Sequence, residues 1–174
     1  SQAIASITVC VSVADSSGKT VSLADFKSKT VVLEWVNPGC PYVRKHYDSA
    51  NMQATQKGAA GQGVVWLAVN STAQEHYDYK KPADMAAWMQ QQKAAATHTL
   101  MDSEGAFSRA YGARTTPHLF VIDAEGKVAY MGAIDDDPRG APKVNYADAA
   151  LTALEQGTKP DPSSTRPYGC SVKY

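Results

Sequence analysis

Cys40 is the side chain of this sequence best placed to do chemistry. It follows the apolar, largely β-branched run Val31, Val32, Leu33, Trp35 and Val36 and the breakers Asn37, Pro38 and Gly39, and it precedes Pro41. Such a run reads as a strand buried on both faces, and proline suits the first helical position, where its missing donor is not needed. Val43, Tyr47, Ala50 and Ala54 then recur at helical spacing, so the pattern predicts a helix with Cys40 at its N-terminus. The thiolate is the reactive form of cysteine, and unpaired N–H groups with the positive end of the helix dipole stabilise an anion there. A free thiol pKa of about 8.5 falls to roughly 3.5–7.5 in such settings. Arg44, Lys45 and His46 occupy the first two turns, where a stable helix would rather carry Asp or Glu. A broken local rule of this kind is expected at a functional site, and Arg44 and His46 are the candidates for tuning the thiol. The alternative is an inert buried cysteine beside a solvated cationic face.

The remaining reactive residues are few. Cys10, Cys40 and Cys170 are an odd number, too scattered for a zinc knuckle and able to form one intramolecular pair at most. His46, His76, His98 and His118 make no pair at ligand spacing, so neither a metal nor another cofactor is expected. With 174 residues, 44% hydrophobic and 20% charged, the chain suits one well-buried domain. A net charge of zero leaves no electrostatic footprint for nucleic acid or an anionic membrane. No apolar run approaches the roughly 18 residues of a membrane span, and the opening residues SQAIAS lack the charged and apolar regions of a signal peptide.

The elements that must position Cys40 follow from periodicity. Residues 7–13 alternate strictly, and with Lys19 to Leu23 beyond the DSSG turn they predict a hairpin in front of the main fold. Val64 to Val69 reads as a second buried strand, completing a right-handed βαβ unit with the Cys40 helix. Asn70 to Lys81 is a polar loop able to overhang the sheet, and Pro82 starts a helix burying Met85, Trp88 and Met89. A short strand at 97–101 precedes a brief helix capped by Asp102 or Ser103 and ended by Gly112. The strand His118 to Ile122 turns through Asp123 to Gly126 into Lys127 to Ala133, an antiparallel hairpin. DDDPRGAP, 135–142, reads as a solvated turn, and Asn145 caps a last amphipathic helix closed by Gly157. Residues 1–157 are thus one domain, and 158–174 are an aperiodic tail carrying Cys170. A tail of this composition is ordinarily disordered, yet a thiol among aromatic residues has little reason to sit there unless it meets something.

This order, with Cys-Pro-Tyr at the first helix and Thr116-Pro117 before the hairpin, resembles the thioredoxin fold. More narrowly it is similar to the redoxin branch, the peroxiredoxin-like and TlpA-like proteins, in the subgroup with a single active-site cysteine. The likeness runs through DSSGKTVSLADFK, VVLEWVNPGCPYVRKHY, GVVWLAVN, AYGARTTPHLFVID and the closing RPYGCSVKY. It implies an α/β fold with a central mixed sheet flanked by helices, an N-terminal β-hairpin extension and an irregular C-terminal tail. It also implies a cis Thr116–Pro117 bond that turns the Thr116 backbone toward Cys40, its N–H and C=O free for an incoming chain. Pro41, Tyr42, Thr116 and Pro117 are then the candidate substrate-binding residues. Two departures matter: Val43 stands where a CxxC motif has its second cysteine, and Asn37 stands where peroxiredoxins carry Thr.

Without a second cysteine in the motif, dithiol exchange within it is excluded. The expectation is a thiol-disulfide oxidoreductase, a thiol-based antioxidant in which Cys40 attacks and either Cys170 or an external thiol resolves. The alternatives are a peroxiredoxin-like hydroperoxide reductase, with Cys40 passing through a sulfenic acid, and a non-catalytic module that binds extended chains beside Thr116-Pro117. Partners would be protein or small-molecule disulfides, thiols or hydroperoxides, with an external thiol reductant. The chemistry suits the bacterial periplasm or another exported location, or a redox-buffered cytosol, and the exported location is the expectation. Cys170 rather than Cys10 is expected to reach Cys40, because Cys10 is held in a strand while a tail from Gly157 can extend over roughly 43–47 Å. A Cys10–Cys170 bridge is the competing arrangement.

Overall fold

A computed structural model of the chain describes residues 11–139 and 142–173. A short antiparallel pair comes first, β1 (Ser12–Ala14) with β2 (Thr20–Ser22). Most of the strand expected over 7–13, and Cys10 with it, lies outside the described residues. The hairpin is tied to the main sheet through Ser16 N–H to Thr99 O at 2.8 Å and His98 Nδ1 to Asp15 Oδ2 at 2.9 Å.

The central sheet has five strands in the order β5-β4-β3-β7-β8. β3 (Val31–Trp35), β4 (Val65–Asn70) and β5 (His98–Met101) run parallel, β7 (His118–Ile122) pairs antiparallel with β3, and β8 (Val128–Gly132) pairs antiparallel with β7. All five residues of β3 are buried, as an apolar run in the middle of a helix-covered sheet must be. Helices α1 (Pro41–Asp48), α2 (Asn51–Gly61), α3 (Pro82–Gln91), α4 (Ala106–Tyr111) and α5 (Tyr146–Glu155) connect these strands or close the chain. Trp35 and Trp66 point into separate clusters on the two faces of the sheet. Rings of this size bury about 150–250 Å², equivalent to about 4–6 kcal/mol of transfer free energy each as an upper bound.

Two local expectations are corrected. The helix that begins after Cys40 is not continuous: Ala50 adopts φ 61, and α2 restarts on a new axis. Ala50 and Ala54 are consequently exposed, and Met52, Gln53, Thr55, Gln56 and Ala59 form the buried face. The tertiary reason is polar: Gln53 Nε2 donates to Tyr47 O at 2.9 Å and to Gln92 O at 2.7 Å, bonds that a straight helix could not aim. In α4 the N-cap is Gly105, not Asp102 or Ser103. Asp102 still caps from further back, accepting from the Phe107 and Ser108 amides at 3.1 Å each.

Residues 158–173 carry little regular structure but are bound along their length. Met131 N–H donates to Ser163 O at 3.1 Å and Thr165 N–H to Met131 O at 3.0 Å. Further on, β9 (Cys170–Ser171) pairs antiparallel with β6 (Thr115–Thr116), with Thr116 opposite Cys170. Val172 N–H reaches Arg114 O at 3.2 Å, and Ala73 N–H reaches Lys173 O at 2.6 Å. The expected tail is therefore a strap laid across the end of the sheet.

Candidate active site

The turn that presents Cys40 is built by Asn37. Its carbonyl Oδ1 accepts from Gly39 N–H at 2.9 Å, its Nδ2 donates to Asp78 Oδ2 at 3.0 Å, and its backbone oxygen accepts from Cys40 N–H at 2.9 Å. A Cβ on Gly39 would meet the Asp78 carboxylate, so a side chain there would push Asp78 away from Asn37. Cys40 is the N-cap of α1 in extended conformation, with Pro41 following at the first helical position. Its side chain is 1% exposed.

Three elements meet at the sulfur. The Thr116–Pro117 bond is cis, and the Cys40 thiol donates to Thr116 O at 3.2 Å. The strap places Cys170 opposite Thr116 and so beside Cys40, near enough for each thiol to shift the other's pKa, and both are free thiols. The Thr116 backbone is thus not open for an incoming chain, as the resemblance implied, because the protein's own Cys170 already stands opposite it. Gly169 makes the approach feasible: its φ is 147, and a Cβ there would collide with the Thr116 carbonyl oxygen.

The two thiols are pushed in opposite directions. Burial alone would raise the Cys40 pKa, but the polar groups around the sulfur, led by the Cys170 thiol and followed by the Thr116 hydroxyl and the Val43 and Cys170 amides, outweigh it and lower it. Cys170 is pushed up to about 11, by burial first and then by its hydrogen bond to Cys40 and the Cys40 charge, with Lys173 and the Tyr42 amide opposing. The tuning role expected of Arg44 and His46 is a correction. Arg44 points into solvent, and the lowering comes from the groups in contact with the sulfur, the Val43 amide supplying the helix N-terminal share. Burial holds the His46 pKa down to about 4, so the ring is neutral and carries no charge to lend.

His46 instead anchors the strap. Asn51 Nδ2 lies 3.0 Å from its Nδ1, its Nε2 lies 2.9 Å from the Tyr168 hydroxyl, and that hydroxyl donates to Asp135 Oδ1. The tautomer protonated on Nε2 satisfies all three bonds. The Tyr168 ring also lies 5.9 Å from Tyr42 and under Lys45 Nζ at 5.6 Å. Of the candidate substrate-binding residues, Thr116 and Pro117 are buried at the sulfur, while Pro41 and Tyr42 lie exposed beside it. Asp135, Tyr168 and Gly169 are the site residues that sequence reasoning passed over, and Asn37 was read as a strand breaker and a departure from the peroxiredoxin pattern, not as the builder of the turn. Only the Asn-Pro-Gly turn carried a local signal. Asp135, read as part of a solvated turn, is 2% exposed.

Beneath α1, Glu34 is fully buried and accepts from Tyr47 Oη at 2.7 Å, Trp66 Nε1 at 2.8 Å and Gln56 Nε2 at 3.1 Å. Burial pushes its pKa up to about 7 against those three donors. A lone carboxylate inside an apolar strand was its visible signal. Among the described residues no group of three His, Cys, Asp or Glu side chains could hold a metal ion, and no helix is long and apolar enough to cross a membrane.

The sheet order, the cis proline and the cysteine at the head of α1 agree with a Redoxin family model that matches residues 4–151. The chain belongs to the Redoxin family. No curated protein sequence matches this redoxin. Among solved structures, a hypothetical protein from Sinorhizobium meliloti 1021 superposes with a TM-score of 0.83 at 24% identity, covering 94% of this chain and 90% of that one. An uncharacterized conserved protein from Geobacillus kaustophilus does so at 0.84 and 26%, over 94% and 87%. A secreted Mycobacterium tuberculosis disulfide oxidoreductase homologous to E. coli DsbE matches at 0.56 and 16%, over 78% and 87%. The fold is the thioredoxin-like one, shared with these structures.

Proposed function

We propose that this redoxin is a thiol-disulfide oxidoreductase in which Cys40 is the nucleophile and Cys170 the resolving thiol. The observation that carries this reading is the contact of the two thiols at Thr116, with pKa values pushed apart. In the first step the Cys40 thiolate attacks one sulfur of a disulfide, a new S–S bond forms, and the other sulfur leaves as a thiolate. In the second, Cys170 attacks the Cys40 sulfur, releasing the second half of the substrate and leaving a Cys40–Cys170 disulfide. An external thiol then reduces that bond.

The opposed pKa shifts give the steps an order. While Cys40 is a thiolate, its charge and hydrogen bond hold Cys170 protonated. Once Cys40 is bonded to substrate, both influences vanish; burial still raises the Cys170 pKa, but Lys173 and the Tyr42 amide now oppose it alone, so the thiolate is easier to form at the moment it must attack. A peptide-binding module is the weaker reading, since the Thr116 edge is already filled. A hydroperoxide as the oxidant uses the same two thiols and is separated by peroxide consumption with a thiol reductant. That one structural neighbour is a secreted disulfide oxidoreductase favours an exported location.

The test is to treat the reduced protein with oxidised glutathione and map the products by peptide mass spectrometry. The expected product is a Cys40–Cys170 disulfide, with Cys40→Ser forming none and losing all turnover. A protein that turns over with only a Cys10–Cys170 bridge, or with none, would refute the assignment.

A further inference from the structure

The strand that covers Cys40 is made by the chain itself and lies antiparallel along Thr115–Thr116. Adding a peptide to a sheet edge requires consecutive backbone donors and acceptors on that edge. Here Arg114 O is bonded to Val172 N–H, Thr115 faces Ser171 and Thr116 faces Cys170. The strap is also held outside this pairing, by Tyr168 on Asp135 and His46 and by Lys173 O on Ala73 N–H. Its closest point is Gly169, where any side chain would collide with the Thr116 carbonyl.

Resting on the thiol-exchange reading, we propose that the strap is an internal occupant of the polypeptide-docking edge that makes Cys40 selective for small disulfides over polypeptide disulfides, with Gly169 as the specificity-determining residue. The two substrate classes make unequal demands. A small disulfide needs only its sulfur in line with Cys40, so local yielding of Gly169 and Cys170 suffices. A polypeptide must also pair with Arg114 to Thr116, and for that the strap must leave from Tyr168 to Lys173. Its apparent reactivity falls by the fraction of molecules in which the edge is free.

The experiment uses Cys170→Ser as the common background, so that the mixed disulfide on Cys40 accumulates and resolution plays no part. Single-turnover rates are measured with oxidised glutathione and with insulin as the polypeptide disulfide, with and without Gly169→Ala. Amide hydrogen exchange at Val172, whose N–H bonds to Arg114 O, reports whether the strap has lifted. The expected result is an insulin-to-glutathione rate ratio that rises about tenfold or more with Gly169→Ala, as for an edge free in fewer than about a tenth of parent molecules. Where the Val172 amide stays protected, adding Tyr168→Ala removes the anchor, and the same rise is expected. A lifted strap with an unchanged ratio overturns the proposal, as does a parent that already reacts with insulin as fast as with glutathione. Failure of every variant to react with either disulfide has a different signature: it overturns the nucleophile assignment, and the selectivity falls with it.

Discussion

Consecutive residues of α1, His46 and Tyr47, reach two buried carboxylates in opposite directions, and the two networks are built differently. Tyr47 reaches Glu34, where every donor comes from a strand or helix of the core: Tyr47 itself, Trp66 and Gln56. His46 and Asp135 meet instead at Tyr168, a residue of the strap, and Asp135 Oδ2 has no hydrogen-bond partner among the described residues. A complete network of core residues can open only when the domain unfolds, because its members have no other place to go. A network closed by one residue of a C-terminal strap can open locally, with water replacing the tyrosine. The first is a fixed floor under the Cys40 helix, and the second is a latch.

This contrast can be broken or sharpened by experiment. The largest effect is expected at Glu34. Its folded pKa of about 7 lies above the ordinary 4.5, so the folded state binds the extra proton, and stability falls as pH rises from 4.5 through 7. The shift corresponds to roughly 3 kcal/mol. Denaturant unfolding of wild type and Glu34→Gln across that range should show wild type losing about this much relative to the variant, then a constant gap above it. A pH-independent gap would mean that Glu34 is not a buried, proton-binding group.

Next comes removal of one hydroxyl on each side of α1. Tyr47→Phe leaves Glu34 with two donors in a closed core and should cost about 2 kcal/mol of global stability. Tyr168→Phe should cost about 1 kcal/mol or less globally, because water reaches Asp135 once the strap lifts. Its signature is faster amide exchange at Val172, whose N–H bonds to Arg114 O, with β3 amides unaffected. Equal global losses in the two variants would erase the distinction between floor and latch.

The smallest effect concerns the thiol. Alkylation rate against pH should give a midpoint for Cys40 below the free-thiol value of about 8.5. Cys170→Ala should move that midpoint upward, since the Cys170 thiol is the leading group that lowers it. Arg44→Gln, at an exposed position out of the sulfur's contacts, should move it less. The reverse order would restore the charge-based tuning that the first turns of α1 suggest.

Much of the scaffold was legible without coordinates because periodicity reports which face of an element is buried. The apolar runs of β3, β4 and β7, the prolines opening α1 and α3, and the Asn145 cap of α5 each declare local geometry. Cys40 at a strand-to-helix junction was readable for the same reason. The kink at Ala50 was not, because alanine carries no turn signal and the break is held by Gln53 reaching Tyr47 O and Gln92 O.

The sequence by itself thus determined the place of Cys40, its helix and the two-sided sheet behind it, all consequences of side chains near one another along the chain. The tertiary structure alone decided what touches the sulfur. Thr116 and Cys170 come to Cys40 through antiparallel pairing at one end of the sheet, and Asp135 comes to His46 through Tyr168. Such meetings depend on strand order and on which buried polar group finds a partner, and no periodicity encodes either. For that reason the lowered thiol pKa was foreseeable, whereas its cause was not: a helix end can be read from spacing, but a hydrogen bond from a strap at the far end of the chain cannot.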